Sequence, residues 1–209
     1  MENKQTKLTI SLTNSKLGAQ IPSVSTLPAC SCRPDAPCRF GCYARKGKYG
    51  IGNVQASLRK NYDIYVSNPR SFFEQIQRFL TGGLVTYKYF RWHSAGDIVD
   101  AAYFEGMIDT ARKCPQVKFL CFTKKFDIVN EWMDKNGDLP ENLRIVFSAW
   151  HKAFKVDNPH GLPVSYVFFK NADLNPEIPD LAIPCTGHCP ECLACWNLNK
   201  GQSVYFNQH

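Results

Sequence analysis

The sequence predicts an α/β fold: a partial or compact (β/α) barrel-like parallel sheet with cysteine-rich loops at its N- and C-terminal ends. Three observations carry this. Short apolar runs alternate with amphipathic helical stretches through the middle of the chain, which implies parallel pairing through crossover connections. The runs are continuously apolar, as strands covered on both faces are. Two clusters of four cysteines flank this body. The 209 residues suit one domain, 1–209. It divides into an N-terminal cysteine loop over 28–50, a βαβαβ-type body over 86–170 and a C-terminal cysteine loop over 185–196.

Each element has its own signal. Leu8 to Leu12 reads as a short strand. Residues 28–50 are rich in Pro, Gly and Cys and show no helical period, as expected of a loop organised by a bound centre. A helix fits 53–66. A clearer one fits 69–80: Asn68 or Ser67 caps it and Pro69 suits the first helical position. Phe72, Phe73, Ile76, Phe79 and Leu80 share one face of it, and Gly82 and Gly83 end it. Thr86 to Trp92 is an aromatic strand. Asp100 caps a helix through Arg112 that places Phe104, Met107, Ile108 and Ala111 at helical spacing. Val117 to Phe122 is a buried strand, and Asp127 to Lys135 a short helix burying Ile128, Val129 and Trp132 or Met133. Leu143 to Ala149 and Val164 to Phe169 are further strands. From Asn171 the chain is Pro-rich and irregular until Ser203 to Phe206, a short closing strand.

Composition narrows the class. Apolar content of 44% and charged content of 21% are ordinary for a globular protein. No apolar run approaches the roughly 18 residues of a membrane span. The start, Met-Glu-Asn-Lys-Gln-Thr-Lys, lacks the apolar core of a secretory signal. The expected location is cytoplasmic. In that reducing compartment clustered cysteines are metal ligands more often than disulfides. The formal charge of +7 counts cysteines as neutral. Two four-thiolate centres of charge −2 each would bring it to about +3, which weakens a nucleic-acid reading based on charge alone.

The densest chemistry lies at the end. Cys185, Cys189, Cys192 and Cys195 stand in the run Cys-Thr-Gly-His-Cys-Pro-Glu-Cys-Leu-Ala-Cys-Trp. Neighbours this close cannot all form unstrained disulfides, whereas one wrapping loop can point several thiolates at a single centre. Zinc sites draw paired cysteines from separate segments. The consecutive Cys189, Cys192 and Cys195 instead approach the reverse of the ferredoxin-type run that holds a [4Fe-4S] cube. An iron–sulfur cluster is therefore the favoured cofactor and zinc the alternative. His188, inside the run, reads as a neighbour of the centre rather than a ligand.

The second cluster is Cys30, Cys32, Cys38 and Cys42. Cys30 and Cys32 need a turn to reach one centre together. Cys38 and Cys42, or three of the four, can serve as ligands, and a cluster shared between the two ends also fits. Cys114 and Cys121 read as small buried apolar residues.

Chemistry in parallel α/β folds collects at the carboxyl ends of strands. Three strand ends here are polar: Arg91-Trp92-His93-Ser94-Ala95-Gly96-Asp97, Thr123-Lys124-Lys125, and Ser148-Ala149-Trp150-His151-Lys152. They make His93, Asp97 and Lys124 candidate catalytic residues, and Arg91, Ser94, Ser148 and His151 candidate substrate-binding residues. A small polar or anionic ligand is expected there.

Cys38-Arg39-Phe40-Gly41-Cys42-Tyr43-Ala44-Arg45-Lys46, His93-Ser94-Ala95-Gly96-Asp97, Thr123-Lys124 and the closing Cys192-Leu193-Ala194-Cys195-Trp196 resemble the phage "gene product eighty-eight" family across roughly residues 25–200. The resemblance implies a phage or prophage protein in the host cytosol. More loosely, the chain is similar to radical S-adenosylmethionine proteins, which place CxxxCxxC after the first strand of a partial barrel. Cys38 and Cys42 match the first two positions, and Arg45 stands at the third. The resemblance implies a cluster-bearing barrel-like protein and supplies no reaction.

Two functions follow. One is an iron–sulfur protein of unknown activity, for which a pocket at the strand ends leaves an enzymatic role open. The other is a zinc-stabilised module binding nucleic acid or protein, for which Arg39, Arg45, Lys46, Lys48, Arg59 and Lys60 interleaved with Phe40, Tyr43 and Tyr49 are the support.

Overall fold

The computed structural model describes residues 6–83 and 85–208. His209, which has no sequence context, and the first five residues lie outside them. Among the described residues eight strands form one sheet, in the order β1-β2-β3-β4-β5-β6-β8-β7. They are β1 (Ile10–Ser11), β2 (Ser23–Val24), β3 (Tyr89–Trp92), β4 (Lys118–Thr123), β5 (Leu143–Ser148), β6 (Val164–Phe168), β7 (Ile183–Pro184) and β8 (Ser203–Asn207). Only β1 runs antiparallel to its neighbour. The sheet is open, with β1 and β7 at its edges, rather than a closed barrel.

The helices are α1 (Pro28–Ser31), α2 (Gly52–Ser67), α3 (Pro69–Thr81), α4 (Ala101–Lys113), α5 (Phe126–Asn136) and α6 (Cys189–Cys192). Two carry the caps their sequences announce. The Asn68 side chain accepts from the Ser71 N–H at 2.9 Å, with Pro69 next in the chain, and Asp100 accepts from the Tyr103 N–H at 2.8 Å. Such caps contribute about 1 kcal/mol each.

Side-chain alternation along the strands separates two cores. Phe119, Cys121, Ile145 and Phe147 point to the face that packs on α2 to α5. Leu120 and Val146 point to the other face, which the turn at Leu17 and Ile21 and the segment at Trp196 and Leu198 cover. Cys114 and Cys121 are fully buried. Gly106 of α4 meets the Phe73 ring so closely that a Cβ there would lie 2.1 Å from Cε2, so α3 and α4 are in contact at a glycine.

The loop expected over 28–50 is not irregular throughout. It consists of α1 followed by single 3-10 turns at Pro37–Arg39, Tyr43–Arg45 and Gly47–Gly50. Turns this short bury too few apolar residues to leave a helical period in the sequence. A third core of Leu27, Ala44, Leu58 and Ala95 holds them against α2 and the segment after β3.

Candidate metal centre

The C-terminal cysteines are brought together by three local devices. β7 pairs with β8, and the Cys185 N–H donates to Tyr205 O at 2.9 Å. α6 carries Cys189 and Cys192, one turn apart, and the Cys189 N–H donates to Lys16 O at 2.9 Å. Leu193, at φ 51°, then reverses the chain into the 3-10 turn Ala194–Asn197, which carries Cys195. Trp196 anchors that turn. It is buried, its Nε1 donates to Phe90 O at 3.3 Å, and its ring meets Tyr89 edge-on at 5.8 Å. As a result all four cysteines line one small pocket, whose walls are otherwise largely apolar: Ile183, Leu193, Trp196 and Val204.

Burial governs the state of these thiols. It pushes Cys195 up to about 12 and raises Cys189, and the neighbouring sulfurs add to both shifts. Arg91 opposes them. Its guanidinium lies 4.6 Å over the Phe122 ring, its Nε is buried without a hydrogen-bond partner, and no carboxylate pairs with it among the described residues. A half-buried cation near Cys189 and Cys195 suits an anionic centre.

At the other end of the chain, Cys32, Cys38 and Cys42 share one electrostatic neighbourhood with Asp97 and Lys124, and Cys30 is exposed. Cys32 is pushed up to about 12, first by burial and then by Asp97 and the two other thiols, against the pull of Lys124. Arg33 fixes the segment: it forks onto Asp35 at 2.8 and 2.9 Å, and its Nη1 donates to Lys124 O at 3.2 Å.

The strand-end residues divide. Asp97 is buried and accepts from Thr123 Oγ1 at 2.6 Å, from the Lys124 N–H at 3.0 Å and from the Ile98 N–H at 2.8 Å. Burial raises its carboxyl, and those donors and the Lys124 charge hold it down. Lys124 Nζ donates to Ser148 Oγ at 3.2 Å and sits 5.3 Å over the Trp150 ring. Lys124 therefore joins the other two, Asp97 through its backbone N–H and Ser148 through its ammonium. Ser94 Oγ donates to Ser23 Oγ at 3.2 Å, and its carbonyl accepts from Tyr43 Oη at 2.7 Å. His151 accepts on Nδ1 from the Ala153 N–H at 3.2 Å within its own turn.

His93 faces elsewhere. Its φ of 56° breaks the alternation after Trp92. The imidazole lies in the helix-side core, Nε2 3.0 Å from Tyr103 Oη and Nδ1 3.6 Å from Cys121 Sγ. Burial lowers it to about 3, so it is neutral.

Sequence reasoning missed Lys16, whose carbonyl ties Cys189 to the N-terminal turn. The signal was the Asn14 to Gly18 spacing. Asn14 Oδ1 accepts from the Lys16 and Leu17 N–H groups at 2.8 Å each, and Gly18 closes the turn at φ 62°. It also missed Thr26 and Ser31, two buried hydroxyls under Gly96.

Among the described residues no group of three or more His, Cys, Asp or Glu side chains is arranged to hold an ion as it stands. The donor chemistry nevertheless fits a thiophilic centre at the C-terminal pocket. All ten cysteines are unbridged, four of them share one apolar pocket, and thiols raised by burial keep their protons until a metal displaces them. A family model described as Gene product 88 matches residues 1–203. No curated protein and no solved structure matches the chain.

Proposed function

The chain belongs to the Gene product 88 family of phage proteins, and from that premise we propose that it is an iron–sulfur protein whose principal centre is held by Cys185, Cys189, Cys192 and Cys195. The observation that carries the reading is the single pocket lined by all four cysteines, with the Arg91 charge acting on Cys189 and Cys195. Cys32, Cys38 and Cys42, which act electrostatically on one another near Asp97 and Lys124, would form a second, three-thiol set. A [4Fe-4S] cluster, when bound, supplies one-electron transfer or, at an iron without a protein ligand, a Lewis acid.

The chain's own residues would do the rest. Arg91 offsets negative charge at the C-terminal set and, with Phe122 and Trp196, keeps water from it. Asp97 is fixed by three donors and orients the Lys124 backbone. The Lys124 ammonium, steadied by Ser148 and Trp150, is the group that would receive a small anionic ligand beside the N-terminal thiols. The sequential order of β2 to β6 is the order of strands in a barrel wall and supports the partial-barrel reading.

Two substitutions test the assignment. Cys192 is exposed and Cys38 half-buried, so a serine at either leaves the packing largely unaltered. Purified without oxygen, Cys192→Ser should lose the iron and sulfide of the C-terminal set, and Cys38→Ser should leave that set loaded. Full metal content in Cys192→Ser would overturn the assignment, and loss of all metal in both variants would mean one cluster shared by the two ends.

A further inference from the structure

From Ala36 to Tyr62 the chain has six basic residues and not one Asp or Glu. Arg39, Arg45, Lys46, Lys48 and Arg59 are exposed, and Lys60 is half-buried. None of the six makes an ion pair among the described residues. A large apolar side chain stands among them in water: Phe40 is 96% exposed, with Tyr43 at 51% and Ile51 at 54%. A phenyl ring left almost wholly in water contributes nothing to this fold.

Two glycines add an independent sign. Gly41 and Gly52 have no positive φ, and a Cβ at either would meet nothing within 4 Å. Neither a turn nor internal packing calls for glycine there. Glycine also serves where another molecule comes close to the backbone. Gly47, at φ 55°, is explained by its own turn.

We propose that the outer face of residues 39–60 binds single-stranded nucleic acid, with Phe40 stacking on an unpaired base and Arg45, Lys46 and Lys48 on the phosphates. The single strand is favoured over a duplex because a stacked base pair offers no free face to Phe40. Nucleic acid is favoured over a membrane because the cations are interleaved with the aromatics, where an interfacial anchor segregates its apolar face from its charges. Phe40 lies between Cys38 and Cys42 in the chain, so each variant is compared with the parent at matched metal content.

The test is fluorescence anisotropy of the full chain with a labelled oligothymidylate of about fifteen nucleotides, near the upper site size of a single binding module. The expected result is salt-sensitive binding, with log K falling against log salt at about 0.7 per phosphate contacted, and weaker binding to a duplex of the same length. Phe40→Ala should weaken it roughly five- to a hundredfold, as loss of one stacked base does. Lys46→Glu with Lys48→Glu should flatten the salt dependence. Gly41→Ala should weaken binding with no change in the thermal midpoint. No binding at low salt, or affinity unchanged in Phe40→Ala and in the double variant, would overturn the proposal. So would binding to phosphatidylserine vesicles with none to the oligonucleotide.

Discussion

Gly96 is the position where a single methyl group tests how the N-terminal cysteine segment is attached to the sheet. It follows β3 at φ 86°, and a Cβ there would lie 2.3 Å from Thr26 Oγ1, 2.6 Å from Thr26 O and 2.8 Å from Ser31 Oγ. Rotation could move the hydroxyls, but the carbonyl belongs to a backbone pinned by the Thr26 N–H to Ala95 O bond at 3.2 Å. Ser31 Oγ also accepts from the Asp97 N–H at 3.0 Å, so displacing it disturbs the carboxylate beside Cys32. A left-handed alanine costs about 1–2 kcal/mol, and overpacking a tight site about 1–3 kcal/mol. Gly96→Ala should therefore lose about 2–5 kcal/mol, a large part of a typical domain's stability. Gly47→Ala is the control: its φ is 55° and its Cβ would meet nothing within 4 Å, so only the conformational cost of about 1–2 kcal/mol applies. Urea unfolding of the two variants against the parent measures both. A Gly96→Ala no less stable than Gly47→Ala would refute the steric argument and the docking of this segment on Thr26 and Ser31.

Two further outcomes follow from the strand ends. Native His93 stays neutral down to about pH 3, while the unfolded chain protonates its imidazole below about pH 6.5. The unfolded state then binds the extra proton, so stability is present above pH 6.5 and is lost as pH falls below it. The loss attributable to His93 between pH 7.5 and 5.5 is about 1.4 kcal/mol. Urea melts at the two pH values should show it in the parent and not in His93→Gln, and an equal slope in both would contradict the burial of the imidazole. Asp97→Asn turns an amide N–H₂ toward a site now filled by three donors, and should cost about 1–3 kcal/mol. Unchanged denaturant midpoints would mean that the carboxylate is not the clasp between β3 and β4.

Much of the body was legible because its signals are local. The Asn68 and Asp100 caps, Pro69 and the aromatic face of α3 fall where the periodicity put them; β3, β5 and β6 lie within their apolar runs, and β4 and β8 extend one residue past theirs, to Thr123 and Asn207. What was not legible depends on distant partners. β2 is two residues long and exists because β3 lies beside it, and β7 contains a proline that only an edge strand tolerates. His93 belonged by its neighbours to a strand-end pocket. A left-handed backbone, which residue type does not announce at histidine, turned it into the core. The convergence of Cys185 with the other three thiols needed β8 to pair with β7, a contact twenty residues further along the chain. By contrast, the tight spacing of Cys189, Cys192 and Cys195 was visible from the sequence alone.

Iron, acid-labile sulfide and zinc per chain, measured with an absorption spectrum on protein purified without oxygen, decide whether the C-terminal pocket holds an iron–sulfur centre. About four irons and four sulfides are expected for each occupied cysteine set, with a broad absorption around 400 nm that bleaches on reduction. Colourless protein carrying zinc, or no metal at all, would contradict an iron–sulfur centre there.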